Sequence, residues 1–109
     1  MIESKDPLAE RKPLQKKEKP SVKLVPLGRI VATPVVLDTI PNAEIIAALD
    51  RHVRGDWGNV CKSDREKNDW ALKNKERLLS SYCAENGTKF RIITEWDRSY
   101  TTVLLPSDY

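Results

Sequence analysis

Leu78-Leu79-Ser80-Ser81-Tyr82-Cys83, then Asn86-Gly87, then Lys89-Phe90-Arg91-Ile92-Ile93-Thr94-Glu95-Trp96, decide the fold. Both flanking runs are β-patterned, and Asn-Gly readily takes the positive φ angles of a tight hairpin. Alternation in the second run puts Phe90, Ile92, Thr94 and Trp96 on one face, with Lys89, Arg91, Ile93 and Glu95 on the other. The first face is the expected core. Asp97-Arg98-Ser99-Tyr100 is rich in turn formers and leads into Thr101-Thr102-Val103-Leu104-Leu105, where Val103 and Leu105 return to the core before Pro106 ends the pairing. The last third therefore reads as an antiparallel meander.

Upstream, residues 29–37 are rich in β-branched side chains and read as a strand. Pro34 lacks a ladder donor and pushes that strand toward an edge or a bulge. Asn42 is placed to cap a helix, Glu44 suits its first turn, and Ile45, Ile46, Leu49 and Val53 fall on one stripe before Gly55 stops it. A second helix begins at a Ser63/Glu66 capping box and runs to about Lys75. Its apolar residues are only Trp70, Ala71 and Leu72, and Arg65/Asp69 and Asp69/Lys73 are spaced for ion pairs, so most of it should face water. The expected order is β-α-α-β-β-β. Residues 24–109 should thus form one small α+β two-layer domain with a C-terminal antiparallel β-meander.

Residues 1–23 differ in kind. Seven Lys/Arg face four Asp/Glu there, few side chains are large and apolar, and Pro7, Pro13 and Pro20 interrupt the run. Such a segment cannot offset a backbone ordering entropy of about 1–2 kcal/mol per residue, so a disordered arm is expected. The formal net charge of +3 resides in this arm, which makes nucleic acid a partner it can approach, although its four acids oppose a polyanion. No run of about 18 apolar residues offers a membrane span, and the start does not resemble a secretory leader. A cytoplasmic protein without membrane attachment is expected. The core of so short a domain is thin, and homodimerisation is one way to thicken it.

Chemistry is sparsely encoded. His52 is the sole imidazole, and Cys61 and Cys83 lie too far apart in sequence to form a paired-ligand metal motif. Structural thiols, buried or half-buried, are the expectation for both cysteines. No phosphate-cradling glycine loop is present, and no metal or cofactor is expected. Two clusters remain as candidate contacts. Asp56 and Trp57 sit between Gly55 and Gly58, where Trp57 would either anchor a contact loop or pack inward as a structural corner. Glu95, Asp97 and Arg98 form the second, which reads either as an acid pair poised beside a base for catalysis or as a solvated hairpin rim with an ion pair, and with Trp96 between them they complete the candidate binding residues.

Gly55-Asp56-Trp57-Gly58, Arg77-Leu78-Leu79-Ser80-Ser81-Tyr82, Gly87-Thr88-Lys89-Phe90-Arg91-Ile92-Ile93-Thr94-Glu95, Asp97-Arg98-Ser99 and Thr101-Thr102-Val103-Leu104-Leu105-Pro106 together resemble a group of small bacterial proteins. Its members are usually called hypothetical or plasmid-related, and sometimes type I restriction methylation subunits. The resemblance spans roughly residues 28–109 and implies an association with mobile genetic elements, without catalytic residues to carry over. A methyltransferase needs more chain and a glycine-rich nucleotide loop after a strand, and neither is here. The expected function is accordingly binding of a protein or nucleoprotein partner. A second likeness is topological: the element order is similar to that of the RelE/ParE toxins, which implies Arg91, Arg98 and Tyr100 as an RNA-cleaving set.

Overall fold

The computed structural model describes residues 23–108, so the arm expected over 1–22 lies outside the described residues. Four strands form one mixed sheet: β1 (Arg29–Ala32), β2 (Leu78–Cys83), β3 (Lys89–Thr94) and β4 (Tyr100–Leu104), in the order β1-β4-β3-β2. The meander β2-β3-β4 is antiparallel, and β1 joins its far edge parallel to β4. Among the described residues three α-helices accompany the sheet: α1 (Pro34–Thr39), α2 (Asn42–Val53) and α3 (Lys62–Asn74). The fold is α+β.

One expected strand is shorter than its composition suggested. It ends at Ala32, and Thr33 turns the chain into α1 by accepting the Val36 N–H on its hydroxyl at 3.3 Å. Pro34 then starts a helix, because its fixed φ suits the first helical position and its missing N–H costs nothing there. The order is therefore β-α-α-α-β-β-β. Asn42 and Ser63 also depart from their expected roles: each lies just inside its helix, and neither α2 nor α3 has a side-chain cap.

All three helices send their buried side chains to one face of the sheet. Val36, Ile40, Ile45 and Ala48 meet Tyr82, Phe90, Ile92 and Val103 in one cluster, while Trp57 and Ala71 meet Val25 and Leu78 in a second. The inward stripe of α2 is Ile45, Ala48, His52 and Val53, which leaves Ile46 65% exposed rather than in the core. Glu44 accepts the Glu85 N–H at 2.9 Å and ties α2 to the β2–β3 hairpin. On α3, the Asn68 amide donates to the Leu79 carbonyl at 2.7 Å and accepts its N–H at 3.2 Å, which satisfies the exposed edge of β2.

Strand register puts Phe90, Ile92 and Thr94 on the helix-covered face, as alternation required. Trp96 does not follow them. β3 ends at Thr94 and the chain reverses through Arg98, whose N–H reaches the Glu95 carbonyl at 2.9 Å with φ of 61°, so Trp96 lies beyond the ladder and is 62% exposed. The opposite sheet face carries Arg77, Leu79 and Ser81 from one edge, Lys89, Arg91, Ile93 and Glu95 next, then Tyr100, Thr102 and Leu104, and finally Arg29 and Val31. At its centre Ile93 and Leu104 are buried, whereas Val31 and Tyr100 stay exposed.

Candidate functional site

Arg98 organises the corner where the β3–β4 turn meets the end of α3. Its guanidinium donates to the Glu76 carbonyl at 2.6 Å, the Glu95 carbonyl at 3.1 Å and the Ala71 carbonyl at 3.2 Å. A cation suits those carbonyls because the C-terminus of a helix carries partial negative charge. Desolvation lowers the Arg98 pKa from its usual value, but a guanidinium remains cationic at neutral pH. Beside it, Asp97 accepts from the Ser99 N–H at 3.1 Å and the Ser99 hydroxyl at 2.7 Å, and these bonds hold its carboxyl below the usual range. Glu95 faces Arg77 at 3.6 Å. Glu95, Asp97 and Arg98 are thus engaged in building a turn.

Two indoles stand out from this corner. Trp96 is 62% exposed and Trp70 58% exposed. Ala71 and Glu95, the residues next to each indole, are bonded to the same guanidinium, so the two side chains leave a common, fixed backbone platform.

The glycine-flanked turn behaves in the opposite way. Trp57 is only 3% exposed; its indole N–H reaches Asp69 at 3.1 Å and its ring meets His52 edge-on at 5.6 Å. Asp56 is held by Arg51 at 2.8 Å and accepts the Gly58 N–H at 3.2 Å, and its backbone carbonyl accepts the Tyr82 hydroxyl at 2.6 Å. Burial pushes the Tyr82 pKa up to about 12. Trp57 packs inward because the turn lies against β2: Asn59 N–H donates to the Ser81 carbonyl at 2.6 Å and Ser81 N–H to the Trp57 carbonyl at 3.1 Å.

Sequence reasoning missed the buried polar chain at the sheet centre. His52, wholly buried, contacts the Ser80 hydroxyl through Nδ1 at 2.5 Å and the Thr94 hydroxyl through Nε2 at 2.9 Å. Thr94 continues to Thr101 at 2.8 Å, and Thr101 donates to the Leu27 carbonyl at 2.8 Å. Desolvation, with a smaller contribution from the positive charge of Arg98, lowers the His52 pKa to about 4. The imidazole is therefore neutral at pH 7 and serves as a structural tie. Cys61 and Cys83 are both exposed, contrary to expectation, and neither shares the environment of this buried ring.

The RNA-cleaving set does not assemble. Arg91 and Tyr100 share the open sheet face, but Arg91 registers with Leu104, four residues from Tyr100, a separation of about 13 Å along the strand. Arg98 is committed to backbone carbonyls. Tyr100 instead registers beside Arg29, and the two line an open depression of about 600 Å³ with Val31 and Ser99. Among the described residues no helix is long and apolar enough to cross a membrane. No protein family, no curated protein and no solved structure matches the chain.

Proposed function

We propose that the chain is a non-catalytic binding protein that docks a protein partner on the corner bearing Trp70 and Trp96. The observation that carries this reading is the exposure of two indoles on a backbone held by one guanidinium. Exposed tryptophan is a strong interface anchor, since it brings a large apolar area and few rotatable bonds. A fixed platform lowers the ordering cost of association further. The resemblance to plasmid-related bacterial proteins supports a partner within a nucleoprotein complex of a mobile element. The protein would act in the cytoplasm, where exposed thiols such as Cys61 and Cys83 stay reduced.

The test is affinity capture from a bacterial lysate, followed by titration of the purified partner against wild type, Trp70→Ala and Trp96→Ala. Loss of about 2 kcal/mol at a hot spot corresponds to a roughly 30-fold weaker Kd for at least one variant. Unchanged affinity in both single variants and in the variant carrying both substitutions would refute the reading. A RelE-like nuclease is the competing reading, and the separation of about 13 Å between Arg91 and Tyr100 along the sheet counts against it. Growth arrest on induced expression, with RNA cleavage lost in Arg91→Ala, would establish it. Arg98→Ala is unsuitable for that purpose because it dismantles the corner.

A further inference from the structure

The sheet face turned away from the helices concentrates positive charge that the rest of the described chain lacks. Residues 23–108 hold thirteen Lys/Arg and twelve Asp/Glu, yet this face displays Arg29, Arg77, Lys89 and Arg91 against the single acid Glu95. Glu95 is already paired with Arg77 at 3.6 Å. Arg29, Lys89 and Arg91 have no ion-pair partner among the described residues. The three extend over about 20 Å in the strand direction, with Thr102, half-exposed Val31 and the buried Ile93 and Leu104 between them and Leu79 on the strand beyond. Tyr100, 42% exposed, lies beside Arg29 at the rim of the depression.

We propose that this face binds single-stranded nucleic acid, with Arg29, Lys89 and Arg91 along the phosphates and Tyr100 as the platform for one base. Charge complementarity selects a polyanion, and the aromatic ring beside an arginine selects one that carries flat bases, since stacking is available to every base. The shape of the face selects the single strand. Four strands about 4.8 Å apart make a surface about 15–19 Å across, too broad to enter a major groove about 12 Å wide. This proposal is independent of the tryptophan corner.

Fluorescence anisotropy with a labelled 12-nucleotide oligothymidine and the full-length protein tests it, with a matched duplex in parallel. Each neutralised phosphate contributes about −0.7 to the slope of log K against log salt for a single strand, so Lys89→Glu with Arg91→Glu should flatten the slope by about 1.4. Tyr100→Ala should weaken binding roughly 5- to 150-fold at an unchanged slope, the signature of lost stacking. Lys73→Glu on α3 should leave affinity and slope nearly as in wild type. Lys89→Glu alone, at an exposed strand end, reports with about half the slope change should the double variant fail to fold. Tighter single-strand than duplex binding with these variant effects supports the assignment. Absence of binding, equal or tighter duplex binding, or wild-type behaviour of the Lys89, Arg91 and Tyr100 variants overturns it; the last result would move any binding to residues 1–22.

Discussion

Acidification should unfold this protein through His52, ahead of most carboxylate chemistry. In the unfolded chain the imidazole has its ordinary pKa of 6.5, whereas burial lowers it to about 4 in the native state. Between those values the unfolded chain binds a proton that the native one refuses. Stability is therefore fully present above about pH 6.5, declines as pH falls toward 4, and receives no further loss from this group below that. A difference of 2.5 pKa units at 1.36 kcal/mol each corresponds to about 3 kcal/mol. That is a large fraction of the about 5–15 kcal/mol that stabilises a small domain.

The assay is urea denaturation at pH 7.5 and pH 4.5 for wild type and His52→Gln. Wild type should lose about 2–3 kcal/mol between those conditions, and the variant, though weaker throughout, should lose far less. Asp97, whose pKa lies below its normal 3.8, loses its contribution at lower pH and does not mimic the effect. Groups facing the ring are Ser80, Thr94, Trp57 and the charge of Arg98, and none of the side chains among these changes protonation between pH 4.5 and 7.5. Equal pH dependence in both proteins, or a native His52 pKa of 6 or above by NMR titration, would refute the reasoning.

Two further outcomes concern the fold. Ile92→Ala should cost about 2–5 kcal/mol in urea melts, and Ile93→Ala should cost a comparable amount, because Ile93 is only 3% exposed although it faces away from the helices. Gly58→Ala should destabilise more than Gly87→Ala: both glycines have positive φ, but a Cβ at Gly58 would collide with the Ser81 carbonyl while one at Gly87 meets nothing. For Gly87→Ala about 1–2 kcal/mol is expected from the left-handed backbone alone, and thermal melts of the pair should separate accordingly.

The meander was legible because its determinants are local. Two-residue alternation, Asn86-Gly87 and the break after Cys83 need no knowledge of the rest of the chain, and β2 begins and ends where its pattern does, whereas β3 stops at Thr94, two residues before its expected end. Thr33-Pro34 misled because Val35 and Val36 favour strands by composition, while a capping hydroxyl and a pre-set proline φ favour a helix start. Val36, wholly buried, rewards the second choice. The two tryptophans are sorted by contacts that lie outside their local pattern. Trp57 lies inside because Asp69, twelve positions away, satisfies its N–H, and Trp96 lies outside because the ladder closes two residues earlier. His52 and Arg98 were opaque in sequence. Their partners lie up to 42 and 27 positions away, and no local pattern encodes such pairings.

Arg77 and Glu95 connect the two proposed surfaces. Glu95 precedes Trp96 on the corner, and its carboxylate faces Arg77, which stands on the basic sheet face across the β2–β3 register. A protein seated on Trp70 and Trp96 therefore reaches the rim of the face proposed for a nucleic-acid strand. Such adjacency suits a nucleoprotein partner better than two separate ligands, because a protein and a strand held together engage the second surface at high effective concentration. Binding at the corner should then strengthen binding on the face, and linkage requires the reverse by the same factor.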